Sequence, residues 1–75
     1  MRIIYNFRSS ALRDQFVERI YQSEAYVRRS GDFSNGFRNL YDVGEEHVVE
    51  LEPSYIKDAG TIQMVAGLLG GKLLH

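Results

Sequence analysis

The sequence predicts a small α+β domain. Three observations carry that expectation. Apolar and polar residues alternate with a period of two in three separate short segments. A long stretch between the first and second of them repeats its apolar residues at spacings of three and four. A second helical pattern follows the last segment and ends at a pair of glycines.

The first segment is Ile3-Ile4-Tyr5-Asn6-Phe7, where Ile3, Tyr5 and Phe7 point one way and Arg2, Ile4 and Asn6 the other, as a half-buried strand requires. Arg8-Ser9-Ser10 breaks the pattern, and either serine suits a helix N-cap because its hydroxyl accepts a backbone N–H bond. A helix is predicted from Ser10 to Arg29. Leu12, Phe16, Ile20, Ser23 and Val27 form its inward stripe, and Glu24 and Arg28 stand at i,i+4 in the favourable order. Arg28 and Arg29 complement the dipole of the last turn, and Gly31 stops it.

Asp32 to Gly36 reads as a loop with an Asn-Gly turn pair. Phe37 to Val43 sets Phe37, Asn39, Tyr41 and Val43 against Arg38, Leu40 and Asp42. His47 to Glu52 sets His47, Val49 and Leu51 against Val48, Glu50 and Glu52. Gly44-Glu45-Glu46 joins them as a hairpin, glycine supplying the positive φ that a short loop needs. Pro53 ends the strand because it has no N–H to donate. The second helix begins near Ser54 or, more securely, near Asp58. Its inward stripe is Ala59, Ile62, Val65, Ala66 and Leu69, and Gly70-Gly71 ends it. Lys72 to His75 is a last short strand or a frayed tail. The order is that of a ferredoxin-like split βαββα(β) arrangement, two helices on one face of a small antiparallel sheet.

The 75 residues are read as one domain, 1–75. A chain of this size buries only about 60% of the surface its unfolded form exposes, so its core is economical or completed by a partner. With 44% hydrophobic and 25% charged residues, the composition is that of a folded protein. The chain has no cysteine, which removes disulfides and Cys-based metal sites. Its start lacks the apolar core of a signal peptide. The longest uncharged run, Ala59 to Gly71, is 13 residues, against the ~20 of a membrane span. The expectation is a cytoplasmic protein with no membrane partner, no metal and no cofactor.

The net charge of −1 is unevenly distributed. Residues 1–40 hold seven arginines against Asp14, Glu18, Glu24 and Asp32. Residues 41–75 hold Lys57 and Lys72 against six carboxylates, namely Asp42, Glu45, Glu46, Glu50, Glu52 and Asp58. Complementation of the two halves within one domain is the favoured reading.

Catalytic patterns are thin. His47 has Glu46 beside it, the makings of an oriented base, although a half-buried strand histidine is the plainer reading. The serines occupy caps, loops and helix positions with no histidine in an identifiable relation to them. Gly67, Gly70 and Gly71 close a helix, whereas phosphate-binding loops precede one. RNA-recognition motifs and acylphosphatases share the layout, and Ile4-Tyr5-Asn6-Phe7 and Gly36-Phe37-Arg38 touch on their motifs. Here Gly36-Phe37 opens the second strand and follows the first helix, the wrong place for both, so neither family is assigned.

Two surfaces look unfinished. On the first helix, Val17 and Tyr21 lie off the inward stripe with Arg28 beyond them, the composition of a small interface patch. On the second, Gly60, Gln63, Met64, Gly67 and Leu68 cover the outer side without a charge. The function predicted is a non-catalytic protein–protein interaction module, an adaptor, regulator or inhibitor of a larger protein, binding a protein partner or a second copy as a homodimer. Its contact residues are Val17, Tyr21, Arg28, Gly60, Met64 and Gly67. The alternative is a nucleic-acid binder with Arg2, Arg8, Arg28, Arg29 and Arg38 on phosphates.

Overall fold

The structure, a computed structural model, describes residues 2–28 and 36–74. Chain order runs β1 (Ile3–Phe7), α1 (Ser10–Gln22), β2 (Phe37–Val43), β3 (Glu46–Leu51), a 3-10 turn (Pro53–Tyr55), α2 (Ala59–Leu68) and β4 (Lys72–Leu73). The strands form one antiparallel sheet in the order β2-β3-β1-β4. This is the ferredoxin-like split βαβ topology predicted, with the closing strand formed.

The alternation in β1 sorts its side chains as expected. Tyr5 and Phe7 are buried and pack with Phe16 and Ile20 of α1, Val49 and Leu51 of β3, and Ile62, Ala66 and Leu69 of α2. Phe7 lies 5.0 Å from Phe16 and Tyr5 5.5 Å from it, tilted ring pairs that fill the centre. The opposite side of the sheet carries Ile4, Asn6, Glu50 and Val48. Val48, fully buried in register with Asn6 and Tyr41, stands outside the main core.

Helix α1 starts as predicted, with Ser9 as N-cap accepting from the Leu12 amide at 3.2 Å. It ends early, at Gln22 rather than Arg29. The Ser23 hydroxyl donates to the Ile20 carbonyl and accepts from the Ala25 amide, closing the helix with local side-chain bonds. Ala25 to Val27 then run beside Tyr55 to Lys57. Tyr26 bridges to Ile56, the Val27 amide donates to the Tyr55 carbonyl at 2.7 Å, and the Lys57 amide to the Ala25 carbonyl at 2.7 Å. This exchange puts the Tyr26 ring in the core, stacked on Phe37 at 4.9 Å and 5°. The predicted stop at Gly31, Arg29 and most of the Asp32–Gly36 loop lie outside the described residues.

The bounds of β2 are those predicted, but a bulge between Phe37 and Asn39 breaks its simple alternation. Phe37 therefore shares the helix side with Leu40 and Asp42, while Asn39, Tyr41 and Val43 face the other way, paired with Glu50, Val48 and Glu46. The hairpin turns on Gly44 and Glu45, Gly44 at φ 58°. Strand β3 begins one residue earlier and ends one earlier than expected. Helix α2 starts after Asp58, whose carboxylate accepts from the Thr61 amide at 3.2 Å and the Thr61 hydroxyl at 2.8 Å. Its end is a glycine cap. Gly70 takes φ 75°, its amide donates to the Gly67 carbonyl and the Gly71 amide to the Ala66 carbonyl.

Candidate interaction surfaces

The outer side of α2 is as uncharged as the sequence predicts, and it is open. Ile62, Ala66 and Leu69 face the core, whereas Met64 and Leu68 are 59% and 71% exposed. Gly60, Gln63 and Gly67 are exposed with them. A Cβ built on Gly67 meets nothing within 4 Å among the described residues, and one on Gly60 meets only Asp58 Oδ1 at 3.3 Å. The tail pairs with β1, the Leu74 amide donating to the Ile4 carbonyl at 2.7 Å. Each glycine costs about 1 kcal/mol of helix stability relative to alanine, a loss that the burial of Ile62, Ala66 and Leu69 on the inner side has to offset.

An apolar groove adjoins α2 on its sheet side. It encloses about 490 Å³ between Ile62 and Ala59 of the helix, Ile3 and Tyr5 of β1, Ile56, and Leu73 of β4. Sequence reasoning missed it because its lining comes from β1, α2, β4 and Ile56, which only the fold brings together.

The predicted α1 patch is corrected in one member. Val17 belongs to the core at 7% exposure, because α1 buries a wider arc than the stripe through Leu12, Phe16 and Ile20 implied. Tyr21 is half-buried, 5.6 Å from the Tyr26 ring, and the Arg28 guanidinium lies 5.9 Å over its face, a cation–π pair. Arg28 Nη1 also reaches Gln22 Oε1 at 3.5 Å.

Several arginines are spent on carboxylates of the acidic half, which is the internal complementation expected. Arg2 forks onto Glu50, Nε to Oε2 at 3.1 Å and Nη2 to Oε1 at 3.2 Å. Arg38 Nη1 donates to Glu52 Oε2 at 3.0 Å. Arg13, buried at 8% exposure, donates to Asp42 Oδ1 at 2.8 Å, to the Tyr41 carbonyl and to Asp14. Arg8 is exposed and passes beside Gly70. Tyr41 lies on the open side of the sheet, 45% exposed, whereas Tyr5 faces the helices.

His47 has a carboxylate partner, but it is Asp42 and not Glu46: Nδ1 lies 2.6 Å from Asp42 Oδ1. The same oxygen accepts from Arg13, so the trio fastens α1 to the β2–β3 hairpin. The burial of Arg13 was not legible, since Tyr41 and Asp42, which it reaches across to β2, stand 28 and 29 residues away. Among the described residues, no three His, Asp or Glu side chains are grouped to hold a metal ion. No helix among them is long and apolar enough to cross a membrane.

Among the described residues, three carboxyls are held below the usual range. Asp42 is lowered first by its hydrogen bond to His47, then by Arg13. Glu50 is lowered by Arg2 and then by Asn39, whose Nδ2 donates to it at 2.6 Å. Asp58 is lowered by the Thr61 hydroxyl and amide. A carboxyl depressed in the folded state adds stability above its unfolded value of about 4, and loses that contribution as pH falls through the folded value. Unfolding free energy in urea is therefore expected to drop between about pH 5 and pH 2. Asp42→Asn, Glu50→Gln and Asp58→Asn together should flatten that slope. Stability rising as pH falls would contradict these pairings.

Compared with protein families, curated proteins and solved structures, the chain matches none.

Proposed function

We propose that this chain is a small non-catalytic protein–protein interaction module, an adaptor, regulator or inhibitor that docks a larger protein on the outer side of α2. The carrying observation is the exposure of Met64 and Leu68 on a helix without a charge, flanked by Gly60 and Gly67. Burying a leucine or methionine side chain that is otherwise wet contributes about 1.5–3 kcal/mol. The glycines let a second backbone approach closely, so an apolar helix of the partner is the occupant that fits. A cytoplasmic location goes with this reading, since a domain of this size without cysteine suits a reducing compartment.

The arginine-based alternative has less support, because Arg2 and Arg38 already bind Glu50 and Glu52. Ionic strength separates the two readings. Contact through a neutral face is expected to change little with salt, whereas phosphate binding weakens steeply.

The test is partner binding by the native chain and by a Met64→Arg, Leu68→Arg double variant. Both positions are exposed, so the variant's stability should lie within about 0.5 kcal/mol of the native value. Its affinity should fall by roughly a hundredfold or more, as expected for lost interface anchors. A partner held equally well by the double variant would defeat the proposal. So would a nucleic-acid complex that dissolves with added salt.

A further inference from the structure

The apolar groove between α2 and the sheet has a polar group in its wall that the fold leaves unused. Tyr5 lines the groove at 5% exposure, its ring packed 5.5 Å from that of Phe16. Its hydroxyl makes no hydrogen bond among the described residues. A buried tyrosine hydroxyl ordinarily has a partner, because an unpaired one keeps the full cost of leaving water. The oxygen is not sealed either: no side-chain oxygen or nitrogen among the described residues is both enclosed and without a partner. The groove is where Tyr5 meets the outside, so the free hydroxyl opens onto it. Burial pushes the phenol above its usual range, which keeps it protonated and ready to donate.

The rest of the lining defines what fits. At about 490 Å³ the groove has the size of a small-molecule site. Ile3, Ile56, Ala59, Ile62 and Leu73 supply apolar walls, and Gln63 brings a neutral amide to the exposed mouth. Arg2 is the ionised residue among those described at the groove. Its Nε and Nη2 are taken by Glu50 on the opposite side of the sheet. An anion therefore meets no uncommitted cation, and burying its charge unpaired is costly. A peptide chain fits poorly for another reason. Each of its backbone N–H and C=O groups needs a partner, and the uncommitted polar side chains described at the groove are those of Tyr5 and Gln63.

We propose that the groove binds a small, uncharged, largely apolar molecule whose ketone or ether oxygen accepts a hydrogen bond from the Tyr5 hydroxyl. The apolar body of the ligand lies against Ile3, Ile62 and Leu73, and its oxygen points inward to the phenol. This site is separate from the docking face, which lies on the outer side of α2 at Met64 and Leu68.

Prodan is a suitable probe, an uncharged dimethylaminonaphthalene with a ketone, whose fluorescence shifts to the blue on leaving water. The native chain should bind it saturably. Tyr5→Phe removes just the hydroxyl, which has no bond to lose, so unfolding should need the same urea concentration or a higher one. Its affinity for prodan should fall roughly three- to tenfold, the worth of one neutral hydrogen bond. The same dimethylaminonaphthalene without the ketone should bind native and Tyr5→Phe chains equally. Ala59→Trp fills the mouth from an exposed position and should abolish binding, with the helix signal in circular dichroism unchanged. The Met64→Arg, Leu68→Arg double variant should bind prodan as the native chain does. Equal affinity of native and Tyr5→Phe chains for prodan would overturn the proposal. So would a native chain without saturable binding, or binding lost in the double variant and kept in Ala59→Trp. None of these readouts depends on whether a larger protein docks on α2.

Discussion

Tyr26→Ala is expected to cost roughly 3–5 kcal/mol, the range for deleting a large buried aromatic side chain. A domain of this size is stable by only about 4–11 kcal/mol, so this change removes a large part of the total. Tyr26 is 2% exposed, and among the described residues its ring meets those of Phe37 at 4.9 Å, Tyr21 at 5.6 Å and Tyr55 at 5.7 Å. The same residue pairs with Ile56 and anchors the extended segment that follows α1. Gly36 is part of the arrangement, because any Cβ there would strike the Tyr26 ring and hydroxyl. Urea unfolding followed by circular dichroism measures the loss. A change below about 1 kcal/mol would mean that Tyr26 does not organise this end of the core.

Gly71→Ala and Gly67→Ala should move stability in opposite directions although four positions apart. A Cβ on Gly71 would lie 2.5–2.7 Å from the buried Phe7 ring and 3.1 Å from the Ala66 carbonyl oxygen. Phe7 is 1% exposed and the carbonyl belongs to the helix backbone, so neither moves cheaply. Overpacking of this kind costs about 1–3 kcal/mol. Gly67 lies inside α2 with open space about it. Alanine there should add about 0.8–1.0 kcal/mol. If a partner approaches at Gly67, the same substitution weakens binding while it stabilises the free chain. Stability and affinity changing together in one direction would argue against close approach at that glycine.

These expectations show which features were local enough to read from sequence. The alternation of β1, the limits of β2, the start of α2 near Asp58 and the Gly70-Gly71 stop depend on residues within a turn of one another. All were legible. The end of α1 was not, because the helix signals in Glu24, Arg28 and Arg29 compete with a pull from far along the chain. Tyr26 gains Phe37 and Tyr55 by leaving the helix, and Ser23 closes the turn before it. Tertiary packing overrides propensity there. The β2 bulge was hidden for a related reason: alternation assumes an uninterrupted ladder, and nothing in Phe37-Arg38-Asn39 marks the extra residue.

The surfaces divide in the same way. The uncharged side of α2 follows from helical geometry and composition alone, so Gly60, Met64 and Gly67 were identifiable in advance. Val17 was misplaced because the arc that a short helix buries depends on what lies against it. The groove beside Ile62 and Leu73 and the Arg13–Asp42–His47 fastening required the sheet order.

The central claim is that the outer side of α2 is a docking face, and oxidative footprinting of Met64 tests it most directly. At 59% exposure the Met64 thioether of the isolated chain should be labelled rapidly by hydroxyl radicals. In complex with the partner its labelling should fall several-fold, with Leu68 protected in parallel. A complex in which Met64 and Leu68 react as they do in the isolated chain, while protection appears elsewhere, would contradict the account.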